Sequence, residues 1–463
     1  MSKPPMGLSR TGGVRPSPAT FDICAVVTVL AFAYSAVIQP LIYFNWPPAP
    51  GLQGLLESRT ENRIFWPVMA VVAIGVAVRL LARGRRLPLP PNMIGLVAYL
   101  AFAGASVSWA FKPELSFVRF TQEAMVLTAL VLPALLSSAS SDLLRGVFLC
   151  FACGTIINVL LIPGGYVTFA QYGADLVDIG YQGYFTGKNL LGEFAAIAFL
   201  LSVHEMLHSG RRRGFGLVIG AAALVLLFMS NSKTALGLVI IAPILAALTQ
   251  MIARPARISP AVVVAAMLLV YIVFCQAVGF DTNRIAYLLT GDSSFTGRTT
   301  IWAFSESEIA RNPLLGWGYQ SFWLVGADAP SLTDASGWVK FMPNSHNGYY
   351  DTILELGYVG LGFLLVFLTT TVHVIGHVTA HDAKRAWLLL TIALFIMIYN
   401  FIETLWLRAF DVSWVVFVVV AVEAARYWRR APLRGPAYRP QPARAMGRGP
   451  TRAAWRPRLG LRS

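Results

Sequence analysis

The sequence predicts an all-α polytopic membrane protein of about 12 transmembrane helices, with a large exterior loop between the ninth and tenth. Three observations predict it. Of 463 residues, 56% are hydrophobic and 13% charged, with a mean hydropathy of +0.62. That much apolar surface needs lipid rather than water as its solvent. Apolar runs of about 20 residues, each enough to cross a bilayer as a helix, recur along the chain. Lysine and arginine gather in every second connection, as the positive-inside rule requires of a chain threaded back and forth.

The runs fall near 21–44, 64–82, 92–111, 115–136, 143–162, 188–207, 214–231, 233–252, 258–279, 349–375, 385–402 and 407–424. The first is too long for a secretory signal core and lacks a small-residue cleavage site, so it reads as an uncleaved anchor. With Lys3, Arg10 and Arg15 in the cytoplasm, alternation puts Arg83, Arg85 and Arg86 inside, then Arg145, then Arg211, Arg212 and Arg213. Arg254, Arg257, Lys384 and Arg385 follow on the same side, then the arginine-rich end. A miscounted helix would invert every later loop, so both termini are expected inside. The expected organisation is a cytoplasmic tail at 1–20, a membrane domain at 21–424 containing an exterior loop at 280–348, and a cytoplasmic tail at 425–463. That last tail has no acid and many prolines and reads as disordered. The formal charge of +15 therefore implies no nucleic acid: the tail arginines suit an anionic leaflet, and membrane lipids are the expected partner.

Cys24, Cys150, Cys153 and Cys275 all sit in apolar stretches. Cys150 and Cys153 form C-x-x-C inside FLCFACG, where a thiol is a small packing residue, and no disulfide framework is implied.

Two exterior connections are long, 164–189 and 280–348, and long ordered loops are usually functional. In the second, TTIWAFSESEIARNP reads as a short helix stopped at Asn312-Pro313, and GWGYQSFWLV offers aromatic residues for the interface or a sugar face. The same face collects the unusual polar residues. Lys188 and Asn189 open the sixth span, Lys233 opens the eighth, Arg298 lies in the large loop, and His346 and Asn347 close that loop. Arg119, Glu123 and Glu193 fall in the first turns of their spans toward it. Cations converging at a lipid–water boundary suit a pyrophosphate headgroup, because adjacent phosphates need more than one counter-charge. Each residue also has a structural alternative. Arg119 and Glu123 stand four apart and pair locally; Glu193 neutralises Lys188; Lys233 snorkels. Arg298 pins its loop to Glu306 or Glu308, and His346 is an ordinary loop histidine.

His204-Glu205-Met206-Leu207-His208 matches H-E-x-x-H, a zinc-site spacing with a glutamate base. It sits at the cytoplasmic end of its span, beside Arg211, Arg212 and Arg213, whose positive charge disfavours a dication. His373, His377 and His381 share a face near the inner end of the tenth span. No metal and no cofactor is expected.

YFTGKNLLGEFAAI, SNSKTALG, FTGRTTIWAFSESEIARNPLLGWGYQSFW and NSHNGYYDTILELGYVGLG occur in this order with the spacing of a known family. Over roughly residues 180–370 the chain resembles the bacterial O-antigen ligase and polymerase family. GRTTIW followed by NPLLGWGYQSFW is most similar to its exopolysaccharide-polymerase branch. The resemblance implies a GT-C-like membrane glycosyltransferase that uses undecaprenyl-diphosphate-linked glycan at the periplasmic face of the inner membrane, without metal or sugar nucleotide. By position, His346 matches the family's histidine and Arg298 its loop arginine. Lys233 stands where arginine is common and lacks the bidentate fork, and Lys188-Asn189 matches a pair often seen there.

The expected function is inverting polymerisation of lipid-linked repeats, with His346 as general base, Arg298, Lys233 and Lys188 on the diphosphate, Asn347 at the substrate, and Asn347, Asp351 or Glu355 orienting the ring. A chain-length co-polymerase and a flippase are the expected protein partners. A ligase passing the glycan to lipid A core or a protein is the alternative. A lipid-linked glycan transporter is the alternative of another class, but it should carry charges at mid-membrane, where most spans here are clean.

Overall fold

The computed structural model describes residues 22–48, 59–138, 141–172, 176–279 and 297–428. The expected N-terminal tail, residues 280–296 of the large loop and the chain beyond Trp428 lie outside the described residues. Each of the twelve apolar runs holds a helix, although residues 407–411 of the last run are not helical. In chain order the helices are α1 (Ile23–Asn45), α2 (Thr60–Ala82), α3 (Pro91–Trp109), α4 (Pro113–Leu136), α5 (Leu143–Leu160), α6 (Lys188–Met206), α7 (Arg211–Met229), α8 (Lys233–Ala256) and α9 (Pro260–Val278). The loop helix α10 (Arg298–Arg311) precedes α11 (Gly348–Thr379), α12 (Ala383–Tyr399) and α13 (Val412–Ala425). Among the described residues, ten helices are long and apolar enough to cross a membrane: α1 to α9 and α11. At 17 and 14 residues, α12 and α13 are shorter.

The helices also differ in burial. From Ser413 to Ala425 every residue of α13 is buried, so it is wrapped by protein on all sides. The opposite extreme is α9, where Pro260 and Val263 alone are buried and Leu268, Leu269, Val270 and Ile272 face outward, as a helix against lipid requires. Pairs α6–α7, α3–α11, α2–α4 and α8–α12 make the largest helix contacts. Gly95 lets α3 approach α11 closely: a Cβ there would stand 3.2 Å from the Phe367 backbone. Four helices open on an aspartate cap. Asp22, Asp142, Asp382 and Asp411 each accept a backbone N–H at their helix N-caps.

Between α5 and α6 lies an antiparallel hairpin of β1 (Val167–Tyr172) and β2 (Leu176–Tyr181), which the all-α reading did not include. Both segments carry β-branched and aromatic residues that favour extended backbone. The expected start of the arginine tail is also packed: Arg426 is buried, pairs with Glu423 and donates to the Ser141 carbonyl at 3.2 Å.

The feature that positions the site is a break in α11. Gly357 has φ 65°, ψ −174°, inside what is otherwise a 32-residue helix. The loop 313–318 supplies the hydrogen bonds that the break removes. Trp317 and Gly318 donate their N–H groups to the carbonyls of Leu354 and Glu355, both at 2.8 Å. Tyr358 donates to the Pro313 carbonyl at 2.8 Å. Non-helical backbone at membrane depth is tolerated only when it is satisfied by protein in this way. A Cβ on Gly357 would lie 2.0 Å from the Leu314 carbonyl oxygen, and its positive φ disfavours any other residue. Gly357→Ala is expected to cost about 1–3 kcal/mol from backbone strain alone. A lower midpoint of thermal unfolding in detergent, with a loss of folded yield, is the check.

The aromatic run GWGYQSFWLV is largely internal. Phe322 and Trp323 pack with Ile301, Ile309 and Leu354 in a second core under the exterior loop. Trp323 also donates its indole N–H to Asp351 at 2.8 Å. Most of these aromatics therefore brace α10 against α11 rather than lying at the interface.

Candidate active site

The segment Asn344-Ser345-His346-Asn347 is a tight turn that aims the chain into α11. Asn347 is the N-cap: its side-chain oxygen accepts from the N–H groups of Tyr349 and Tyr350 at 3.0 and 3.2 Å. Its side chain is thus committed to starting the helix. Asp351 ties the turn down from the first helical turn. It accepts from Ser345 N–H at 3.2 Å, Trp323 Nε1 at 2.8 Å and Thr404 Oγ1 at 2.6 Å. Between these anchors His346 is held at φ 50°, its N–H donating to Asn344 Oδ1 at 2.9 Å. A non-glycine residue in the left-handed region is kept there only by surroundings that over-determine it.

Orientation of the imidazole comes from none of Asn347, Asp351 or Glu355. It comes from Glu403, in the connection between α12 and α13. His346 Nδ1 lies 3.0 Å from Glu403 Oε2. The other carboxylate oxygen accepts from Arg298 Nη2 at 2.7 Å and from Asn189 Nδ2 at 3.1 Å. One acid therefore gathers residues from α6, α10, the turn before α11 and the α12–α13 connection. The connection is itself fixed, since Gly348 N–H donates to the carbonyls of Asn400 at 2.8 Å and Glu403 at 2.9 Å. Helix α10 is held to the same turn through Trp302 Nε1, which donates to the Ser345 carbonyl at 3.1 Å.

The electrostatics of Glu403 follow from its neighbours. Burial pushes its carboxyl up, but the hydrogen bond from His346, the Arg298 charge and the Asn189 amide together outweigh burial and hold it below the ordinary carboxylate value. An ionised carboxylate only accepts, so Nδ1 of His346 carries the hydrogen in this contact. Nε2 is then the nitrogen able to take a proton. The imidazole side chain is 30% exposed, so a substrate can reach it.

The lysines stand on an adjoining turn. Lys188 Nζ donates to the Asn231 carbonyl at 3.2 Å, and Lys233 begins α8 two residues later, exposed. Ser232 packs so tightly on Gly192 of α6 that a Cβ there would meet it at 2.4 Å. Asn189, next to Lys188, reaches Glu403, so the Lys188–Lys233 turn connects to the His346 group through one residue. Of the expected site residues, Arg298 and His346 meet on one carboxylate, Lys188 and Lys233 share the neighbouring turn, and Asn347 caps a helix.

Several structural alternatives are also decided. Arg298 binds Glu403, while Glu306 accepts from Tyr350 Oη at 2.6 Å and Glu308 pairs with Arg311 at 3.2 Å. Arg119 donates to the Gln320 carbonyl at 2.6 Å, and Glu123 accepts from Trp414 Nε1 at 2.7 Å. Ligand atoms of His204, Glu205 and His208 lie within 4.8 Å of one another, a spacing that fits a metal ion. However, Glu205 already pairs with Arg145 and accepts from Arg212 Nη2 at 2.5 Å. Two guanidiniums on its carboxylate oppose a dication, so the residues fit the ion poorly.

The sequence of residues 194–365 matches the profile of a family described as O-Antigen ligase. The exopolysaccharide production protein ExoQ of Rhizobium meliloti (strain 1021) is 26% identical over 300 residues, covering 60% of this chain and 64% of that protein. The matched segment contains Lys233, Arg298 and His346, whereas Lys188, Asn189 and Glu403 lie outside the family profile.

Proposed function

From the premise that this chain is of the O-antigen ligase/polymerase family and ExoQ-like, as both comparisons support, we propose that it is a membrane glycosyltransferase that polymerises undecaprenyl-diphosphate-linked repeats. Its site faces the periplasm, both termini are cytoplasmic, and the membrane is the bacterial inner membrane. The observation that carries the reading is the junction at Glu403, which joins a reachable imidazole to a guanidinium on one face of the helix bundle.

The chemistry is a single displacement. An acceptor hydroxyl attacks the anomeric carbon of the lipid-linked glycan, and the bond from that carbon to the diphosphate oxygen breaks with its electron pair going to the diphosphate. Nε2 of His346 takes the hydroxyl proton, and Glu403 stabilises the imidazolium that forms. One N–H of Arg298 serves Glu403, leaving others of its five for the leaving diphosphate, with Lys233 and Lys188 nearby. Attack from the face opposite the leaving group inverts the anomeric centre.

Arg298→Ala is expected to raise the KM for lipid-linked donor and lower kcat together, by about 10²–10³-fold in kcat/KM. Donor titrations with purified protein check this, and an unchanged dependence on lipid-linked donor contradicts the clamp. The polymerase reading is tested by supplying one defined undecaprenyl-diphosphate oligosaccharide and no other acceptor. A ladder of products supports it. Product formed only when lipid A core or a protein is added supports the ligase instead.

A further inference from the structure

A second site lies beside His346. A cavity of about 430 Å³ opens between the ends of α1 and α2, the outer third of α4, the loop after α10, and Glu355, Arg408 and Phe410. Its volume falls in the lower part of the about 300–1,000 Å³ range of small-molecule sites. Asn344 forms part of its wall, and the same Asn344 accepts the His346 N–H at 2.9 Å. The cavity wall and the His346 backbone therefore share one turn.

The lining has the chemistry of a sugar site. Tyr43 and Phe410 give aromatic surface, and Gln122, Gln320 and Asn344 give amide edges. Three arginines also line it, and two of them are paired with carboxylates. Arg408 forms a two-bond pair with Glu355 at 2.7 and 3.2 Å, and Arg59 pairs with Glu61 at 3.3 Å. Arg119 donates to the Gln320 carbonyl at 2.6 Å. The Arg408–Glu355 edge offers donors and acceptors side by side, which suits neighbouring sugar hydroxyls. The wall is also strained. Gln320 and Leu324, with φ of 45° and 48°, are two of the six positive-φ non-glycine residues among those described. Such strain gathers at ligand sites.

We infer that this cavity is the acceptor subsite, seating the terminal sugars of the glycan whose hydroxyl is presented to His346. The inference rests on the glycosyl-transfer reading for the word acceptor, but its binding arm does not need transfer to occur. Val118 lines the cavity and is 46% exposed, so Val118→Trp fills the space without removing a polar partner. The probe is the lipid-free repeat oligosaccharide, used as acceptor with lipid-linked donor and also titrated into purified protein alone. In Val118→Trp its KM is expected to rise at least about tenfold, with the donor KM unchanged. Direct binding should be lost in Val118→Trp and kept in His346→Ala. Gln122→Ala, which leaves the cavity open, should give a smaller loss of the same kind.

Equal oligosaccharide binding by wild type and Val118→Trp overturns the inference. So does displacement of a bound probe by inorganic pyrophosphate but not by the oligosaccharide, which would assign the cavity to the carrier's diphosphate. If wild type binds the oligosaccharide through this cavity and makes no transfer product, the glycosyltransferase reading fails while the sugar site stands.

Discussion

Replacing His346 with alanine is expected to lower the transfer rate by about 10²–10⁴-fold, the usual contribution of a positioned general base. The fold should survive. The imidazole is 30% exposed, and its carboxylate partner keeps Arg298 and Asn189 after the change. Asp351 and Asn347, which hold the turn and start α11, are untouched. The loss should therefore fall on kcat, with donor KM and protein level close to wild type. Initial rates of ladder formation per mole of purified protein give the comparison. A wild-type rate at equal protein removes His346 from the mechanism.

Glu403→Gln is the second large effect, expected at about 10²-fold or more in kcat, because the imidazolium loses its counter-charge at the moment it forms. The amide NH2 in place of Oε2 also forces His346 either to turn away or to take the tautomer with Nδ1 as acceptor, which puts the hydrogen on Nε2 and removes the base. Uncovering one side of a partly buried pair such as Arg298–Glu403 costs up to about 3–5 kcal/mol, so some loss of thermal stability is expected as well. Glu403→Asp, keeping the charge on a shorter arm, should recover part of the rate.

The pH dependence has a defined sign. A carboxyl held below its ordinary value contributes stability that is present above the unfolded value and lost as pH falls through the lower folded value. Glu403 thus remains charged across the neutral range, and its contribution disappears only in acid. The wild-type acid-side loss of stability should be shallower in Glu403→Gln.

The helices were legible because hydropathy is read one helix at a time. Each of the twelve apolar runs holds a helix, including the short and largely buried α12 and α13. The break at Gly357 was not legible. Its cause is the loop 313–318, whose N–H and carbonyl groups replace the lost helical bonds from some forty residues earlier, and glycine in an apolar helix gives no signal of that. The site divides in the same way. His346 and Arg298 stood out as polar residues at a membrane face. Their common partner did not, because Glu403 is one acid in a short connection, 57 and 105 residues away from them. Local spacing pointed instead to Asn347, Asp351 and Glu355, which the structure commits to a helix cap, a turn anchor and an arginine pair. An acid directly after a buried helix, outside the cationic connections, was the signal available for Glu403.

The central claim is that His346 and Glu403 act as one catalytic unit. A double-mutant cycle of His346→Ala and Glu403→Gln, read as kcat for ladder formation from one defined lipid-linked oligosaccharide, tests it most directly. Once the imidazole is gone, removing the Glu403 charge should cost little more, so the double variant should be nearly as active as His346→Ala alone. If the two losses multiply in full, the residues work independently and the account is contradicted.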